Sequence, residues 1–176
     1  MSLLLDQLKR KADFFSKLRT FFTGRGFLEV HTDELVPVGA IEASIDSLNV
    51  SSDQGSFQLH TSPEFEMKDL LSRTHQSLFQ ICKCFRDDPP TGVHRIEFTM
   101  LEFYQVNATY HDMKKLMKEL IQAIVGKVLP FEEFTIGELF KRELGLEPRE
   151  WISLEGLKGA AKALGCLLYT SPSPRD

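Results

Sequence analysis

Two stretches of this chain bring together residue types that handle charge. In the first, an apolar run from Leu78 to Phe85 ends in Arg86, and a polar turn containing Pro89, Pro90 and Gly92 follows. A second run then carries Glu97, Phe98, Glu102 and Tyr104. Two strands joined by a loop place Arg86 and the returning strand's side chains on one working face. Such a face suits a nucleotide and an amino acid held together. Arginine grips phosphate or carboxylate as a fork, phenylalanine covers an adenine, and carboxylates hold an ammonium group or magnesium. The second stretch is His60-Thr61-Ser62-Pro63-Glu64. Ser62 then Pro63 reads as an N-cap followed by proline at the first helical position, predicting a helix from Pro63 to about Arg73. Glu64 falls in its first turn, where the helix dipole favours a carboxylate.

The frame Phe85-Arg86, loop, Glu97-Phe98-Thr99-Met100-Leu101-Glu102-Phe103-Tyr104 resembles motif 2 of the class II aminoacyl-tRNA synthetases in its lysyl form. His60 to Lys68 resembles the amino-acid-binding Ser-Pro-Glu segment of the same family, in the family's order and at about its spacing. Within that family the chain is similar to the short lysyl-synthetase paralogues that lysylate elongation factor P. The resemblance implies an α+β fold: a class II aminoacyl-tRNA synthetase catalytic core, incomplete here, with an antiparallel-dominated sheet and flanking helices. It implies ATP-dependent activation of lysine or β-lysine as an aminoacyl-adenylate, with Mg2+, and transfer to a lysine of elongation factor P. Arg86 is then the catalytic residue, its guanidinium between the substrate carboxylate and the α-phosphate. Ser62, Pro63, Glu64, Glu102 and Tyr104 bind the amino acid. Arg86, Asp87, Asp88, Arg95, Glu97 and Phe98 bind ATP.

This chain departs from the family at two places in that loop. Asp87-Asp88 stands where Asn-Glu is common, and Arg95 stands where many relatives have asparagine. Each residue also has a plainer reading: Arg86 pairing with Glu97, Phe98 in the core, Glu64 as a helix cap. Two other functions remain open. One is a lysyl-tRNA synthetase fragment with tRNA-Lys as acceptor; the few residues ahead of motif 1 favour the paralogue. The other is a non-catalytic, synthetase-like binding protein, against which the retention of Glu64, Arg86 and Phe98 speaks.

Leu4, Leu5, Leu8, Ala12, Phe15, Leu18, Phe21 and Phe22 recur at helical steps, and Gly24 and Gly26 end the run. An extended stretch begins at Phe27. Helix, Gly-Phe, then strand resembles the start of motif 1, the dimer-forming element, although Asp33 stands where a proline is usual; a homodimer is the expected assembly. Ser44–Val50 and Phe57–Thr61 read as strands around a turn at Asp53-Gln54-Gly55. Strands at about Ser77–Arg86 and Ile96–Val106 flank the motif 2 loop. Helices are expected over His111–Val128, Thr135–Leu144 and Leu154–Leu164. No boundary is evident before residue 166. Cys166–Asp176 has no period and resembles a translated sequencing-adapter read. The expectation is therefore residues 1–165 as the N-terminal part of the catalytic domain, with motif 3 missing, and 166–176 as a non-native tail. These 176 residues alone are expected to be inactive.

With 176 residues, 42% of them hydrophobic and 26% charged, the chain can bury a real core. Its net charge of −4 provides no basic footprint for tight, non-specific nucleic-acid binding. No apolar stretch approaches the roughly 20 residues that span a bilayer, and the N-terminus lacks signal-peptide order. The 3 cysteines form no disulfide framework and fit a reducing cytoplasm. Cys82 and Cys84 alternate on one strand face and read as buried packing in place of a zinc site, and His94 is the histidine placed to face substrate.

Overall fold

The apolar stripe of the first residues forms helix α1, Leu3–Thr23. The structure is a computed structural model that describes residues 3–39, 45–88, 94–147, 153–163 and 165. Only the C-terminal part of the α1 stripe is buried, at Leu18, Phe21 and Phe22, while Leu4, Leu5 and Leu8 stay exposed. Gly24 ends the helix in a tight turn, where a Cβ would meet the Thr20 carbonyl oxygen at 2.9 Å. The chain then enters β1, Leu28–Glu29.

One sheet organises the working part of the molecule. β5, Leu78–Phe85, is its centre, with β1 parallel on one side and β6, Glu97–Tyr104, antiparallel on the other. The β5–β6 register runs unbroken from Leu78 opposite Tyr104 to Phe85 opposite Glu97. Because strand side chains alternate, the two faces acquire different characters. Phe79, Ile81, Leu101 and Phe103 lie on one face and pack with Leu18, Phe21 and Phe22 of α1 and with Leu116 and Leu120 of α3, Tyr110–Val125. The phenylalanines nest: Phe22 stacks on Phe79 at 5.0 Å and meets Phe27 edge-on at 5.2 Å. Gln80, Cys82, Cys84, Phe98, Met100, Glu102 and Tyr104 share the opposite face by the same alternation.

A second sheet has the order β2-β4-β3, with β2 at Leu35–Val36, β3 at Asn49–Ser52 and β4 at Gly55–Leu59, all antiparallel. The strand read at Ser44–Val50 is thus displaced. Ser44 lies outside the described residues, residues 45–48 are irregular, and pairing runs from the Ser52–Gly55 turn back to Asn49 opposite Gln58. Beyond that pair the Leu59 amide still donates to the Leu48 carbonyl at 2.9 Å, and the chain passes into His60, whose carbonyl accepts from the Phe85 amide of the other sheet at 3.0 Å.

Helix α2, Glu64–Thr74, begins one residue later than the sequence indicated, Pro63 itself being the cap at φ −79°. Helix α3 opens on a capping box between Thr109 and Asp112 and closes at Gly126, φ 76°, short of the expected Val128. A left-handed glycine ends a helix whatever apolar residues follow. The chain falls into two compact units, Met1–Leu129 and Pro130–Asp176, a division the sequence did not signal. The second unit contains α4, Ile136–Leu144, with a Thr135–Glu138 capping box, and α5, Leu154–Ala163. The expected end of that last helix at Leu164 and the tail from residue 166 lie outside the described residues. The α+β expectation holds, with one parallel pairing among the four that the described residues make. Among the described residues no helix is long and apolar enough to cross a membrane.

Candidate active site

Strand parity carries Arg86 onto the face of Cys82 and Cys84, one residue past the end of β5. Its backbone amide donates to Ile96 at 3.0 Å, extending the hairpin ladder. Its Nε donates to the Thr61 carbonyl at 3.3 Å, and its guanidinium lies 5.2 Å from the centre of the Phe98 ring. A phenylalanine with a cation over it leaves a flat, half-buried aromatic surface at the mouth of the face. Phe98 is therefore not a core residue; its strand neighbours Phe79 and Phe103, of opposite parity, are.

The Ser-Pro-Glu segment meets this face through the turn that follows β4. Ser62 Oγ donates to Glu102 Oε2 at 3.0 Å and accepts the Glu64 amide at 3.1 Å. Tyr104 donates its hydroxyl to the other carboxylate oxygen of Glu102 at 2.5 Å. Glu102 is thereby held at both oxygens, in an orientation a single contact would leave free. Burial, followed by the Glu102 hydrogen bond and charge, pushes the Tyr104 phenol well above the ordinary tyrosine value. Pro63 is buried and packs the turn, with no polar side chain to offer. Glu64 forms an exposed ion pair with Lys68 one turn along α2, and the Lys68 ammonium stands 6.0 Å over the Tyr104 ring. Lys68 stands four residues after Glu64, the spacing that makes side chains neighbours on a helix surface.

The hairpin end opens into a cleft of about 470 Å3 lined by Lys11, Lys83, Arg86, Asp88, His94, Arg95, Glu97, Phe98 and Thr99. Four basic side chains and one aromatic ring suit an anionic, planar ligand such as a nucleotide. Asp88, Arg95, Glu97 and Phe98 thus gather at one cleft, with His94 beside them. Asp87 is exposed, its amide donating to the Asp46 carbonyl at 2.9 Å, and it does not line that cleft. One expectation needs correcting: Glu97 does not share the face of Phe98, Glu102 and Tyr104. It has the opposite parity and is ion-paired with Lys83, because a strand cannot turn two consecutive residues to one side. Loop residues 89–93 lie outside the described residues.

Magnesium finds little here. Glu102 is committed to Ser62 and Tyr104, and Glu97 to Lys83, so Asp88 is the cleft carboxylate without a described partner of that kind. Among the described residues the group of three potential metal ligands that does converge is His60, Cys82 and Cys84.

The sheet, the arginine over its phenylalanine and the Ser-Pro-Glu turn lie together on one face of the molecule. Residues 3–152 match the model of the tRNA synthetases class II (D, K and N), and the chain belongs to that family. It is 34% identical over 179 residues to the elongation factor P–(R)-β-lysine ligase of Photobacterium profundum, covering 96% of this chain and 53% of that protein. An elongation factor P–(R)-β-lysine ligase homolog of Aquifex aeolicus is 38% identical over 136 residues, with 75% and 46% covered. The ligase of Vibrio atlanticus is 34% identical over 168 residues, with 92% and 51% covered. The chain spans about half the length of the curated relatives it matches.

Proposed function

We propose that this chain is the amino-acid-activating part of a ligase that joins lysine or β-lysine to ATP as an adenylate and passes it to a lysine of elongation factor P. The observation that carries this reading is the Ser62–Glu102–Tyr104 network set beside Arg86 over Phe98 on one sheet face. Glu64 and Glu102 supply the carboxylates that a desolvated ammonium requires. Tyr104 holds Glu102 and lines the amino-acid side of the face. In the first step the substrate's own carboxylate attacks the α-phosphorus, forming the acyl-phosphate bond as pyrophosphate leaves. The protein's part is to position the reactants and stabilise charge. Arg86 meets the charge that builds between the carboxylate and the α-phosphate. Phe98 offers its ring to the adenine, and Lys83, Arg95 and His94 line the route of the phosphates. Asp88 is the cleft carboxylate that would hold magnesium, which would supply charge neutralisation at the phosphates.

The exposed Leu4, Leu5 and Leu8 stripe of α1 supports the expectation of a homodimer. A second reading, lysylation of tRNA-Lys, is favoured by the matched family model, which describes tRNA synthetases. The two separate on the acceptor. In the protein extended to the length of its relatives, radiolabelled lysine or β-lysine should accumulate on elongation factor P and not on tRNA-Lys. Label on tRNA-Lys alone would replace this function with the second.

A further inference from the structure

A cluster of soft donors lies on the site face, and the reaction above makes no use of it. His60, Cys82 and Cys84 are all buried, and one ligand atom from each lies within 4.8 Å of the others. Cys82 Sγ is 3.8 Å from Cys84 Sγ, Cys84 Sγ is 3.9 Å from His60 Nε2, and Cys84 Sγ is 3.9 Å from Met100 Sδ. Two sulfurs bonded at about 2.3 Å to one tetrahedral ion stand about 3.8 Å apart. The spacing is therefore that of donors around a common centre.

Backbone geometry makes the cluster. Strand alternation puts Cys82 and Cys84 on one face, and the register sets Met100 opposite Cys82. The Phe85 amide, donating to the His60 carbonyl at 3.0 Å, draws the histidine alongside. The histidine stands beside the sulfurs without ligating. His60 Nε2, the nitrogen 3.9 Å from Cys84 Sγ, lies 2.6 Å from the Lys83 carbonyl oxygen, which can only accept, so Nε2 carries the proton. Two thiols and a thioether choose soft ions over magnesium or calcium.

We propose that Cys82, Cys84 and Met100 form a buried three-sulfur site for a thiophilic metal ion, with His60 beside it, and that copper(I) fits the donor set best. Binding expels the thiol protons to solvent as the metal–sulfur bonds form. The site is separate from the proposed nucleotide cleft and does not depend on the function assigned to it.

The test uses the full chain carrying Cys166→Ala, so that Cys82 and Cys84 are its only thiols. Copper(I) is titrated in the presence of a reductant and a competing chromophoric chelator, with circular dichroism confirming that each variant is folded. The parent should withdraw one copper ion per chain from the chelator. Cys84→Ser should weaken binding by about a hundredfold or more, and Met100→Leu by about tenfold. Cys82→Ser gives the same reading as Cys84→Ser should the latter not fold. A folded parent that leaves the chelator's copper untouched, or folded cysteine variants that bind as tightly as the parent, would overturn the site.

Discussion

Arg86 owes its position to parity: as the residue after β5 it inherits the face of Cys82 and Cys84, and Thr61 and Phe98 hold it there. Removing one group that meets developing charge typically costs about 2.7–4 kcal/mol of transition-state stabilisation. Arg86→Ala in the protein extended to its relatives' length should therefore lower lysine-dependent ATP–pyrophosphate exchange well beyond tenfold with the fold intact. Exchange close to the parent's would remove Arg86 from the mechanism. Glu64 faces Lys68 across an exposed pair that contributes little to stability. Glu64→Gln should thus leave the unfolding midpoint nearly unchanged while raising the KM for lysine far more than that for ATP; an equal rise in both would make Glu64 a helix cap only. Tyr104 gives a pH signature. Its folded value is raised above the unfolded one, so its contribution to stability is complete below about pH 10 and is lost as pH rises through the folded value. Urea unfolding of the parent should weaken more steeply above about pH 10 than that of Tyr104→Phe. Parallel curves would show that the Glu102 hydrogen bond does not hold the phenol.

At the scale of elements, the β5–β6 hairpin has one face in the core and the other at the site, and Phe22 links it to α1. That side chain is fully buried and touches Phe21, Phe27, Phe79 and Phe103, with ring centres 4.9–5.2 Å away. Phe22→Ala should cost about 3–5 kcal/mol, read as a fall in the denaturant midpoint. A loss under about 1 kcal/mol would mean that the ring nest is not the core. The elements legible in the sequence were those with a period or a cap to show: the helices α1 to α5, and the pair β5 and β6. β1 and β2, at two residues each, have no period to read and exist through their partners. β3 was misplaced because its register is set by the turn and by where β4 departs, neither of which is local to residues 44–50. The same limit applied within the site. Strand alternation is enough to place Arg86, Phe98, Glu102 and Tyr104 on one face, but not to place His60 beside Cys84, a contact made by the docking of two sheets.

At the scale of the molecule, the chain is a member of the class II (D, K and N) tRNA synthetases that spans about half the length of its curated relatives. Its first unit, Met1–Leu129, contains the whole of the face described here. The central claim is that this face activates lysine or β-lysine. Amino-acid-dependent ATP–pyrophosphate exchange in the extended protein tests it most directly, with lysine, β-lysine, aspartate and asparagine compared side by side. Exchange driven by lysine or β-lysine, and by neither of the other two, is the predicted result. Exchange with aspartate or asparagine, or none with any amino acid in a folded protein, would contradict it.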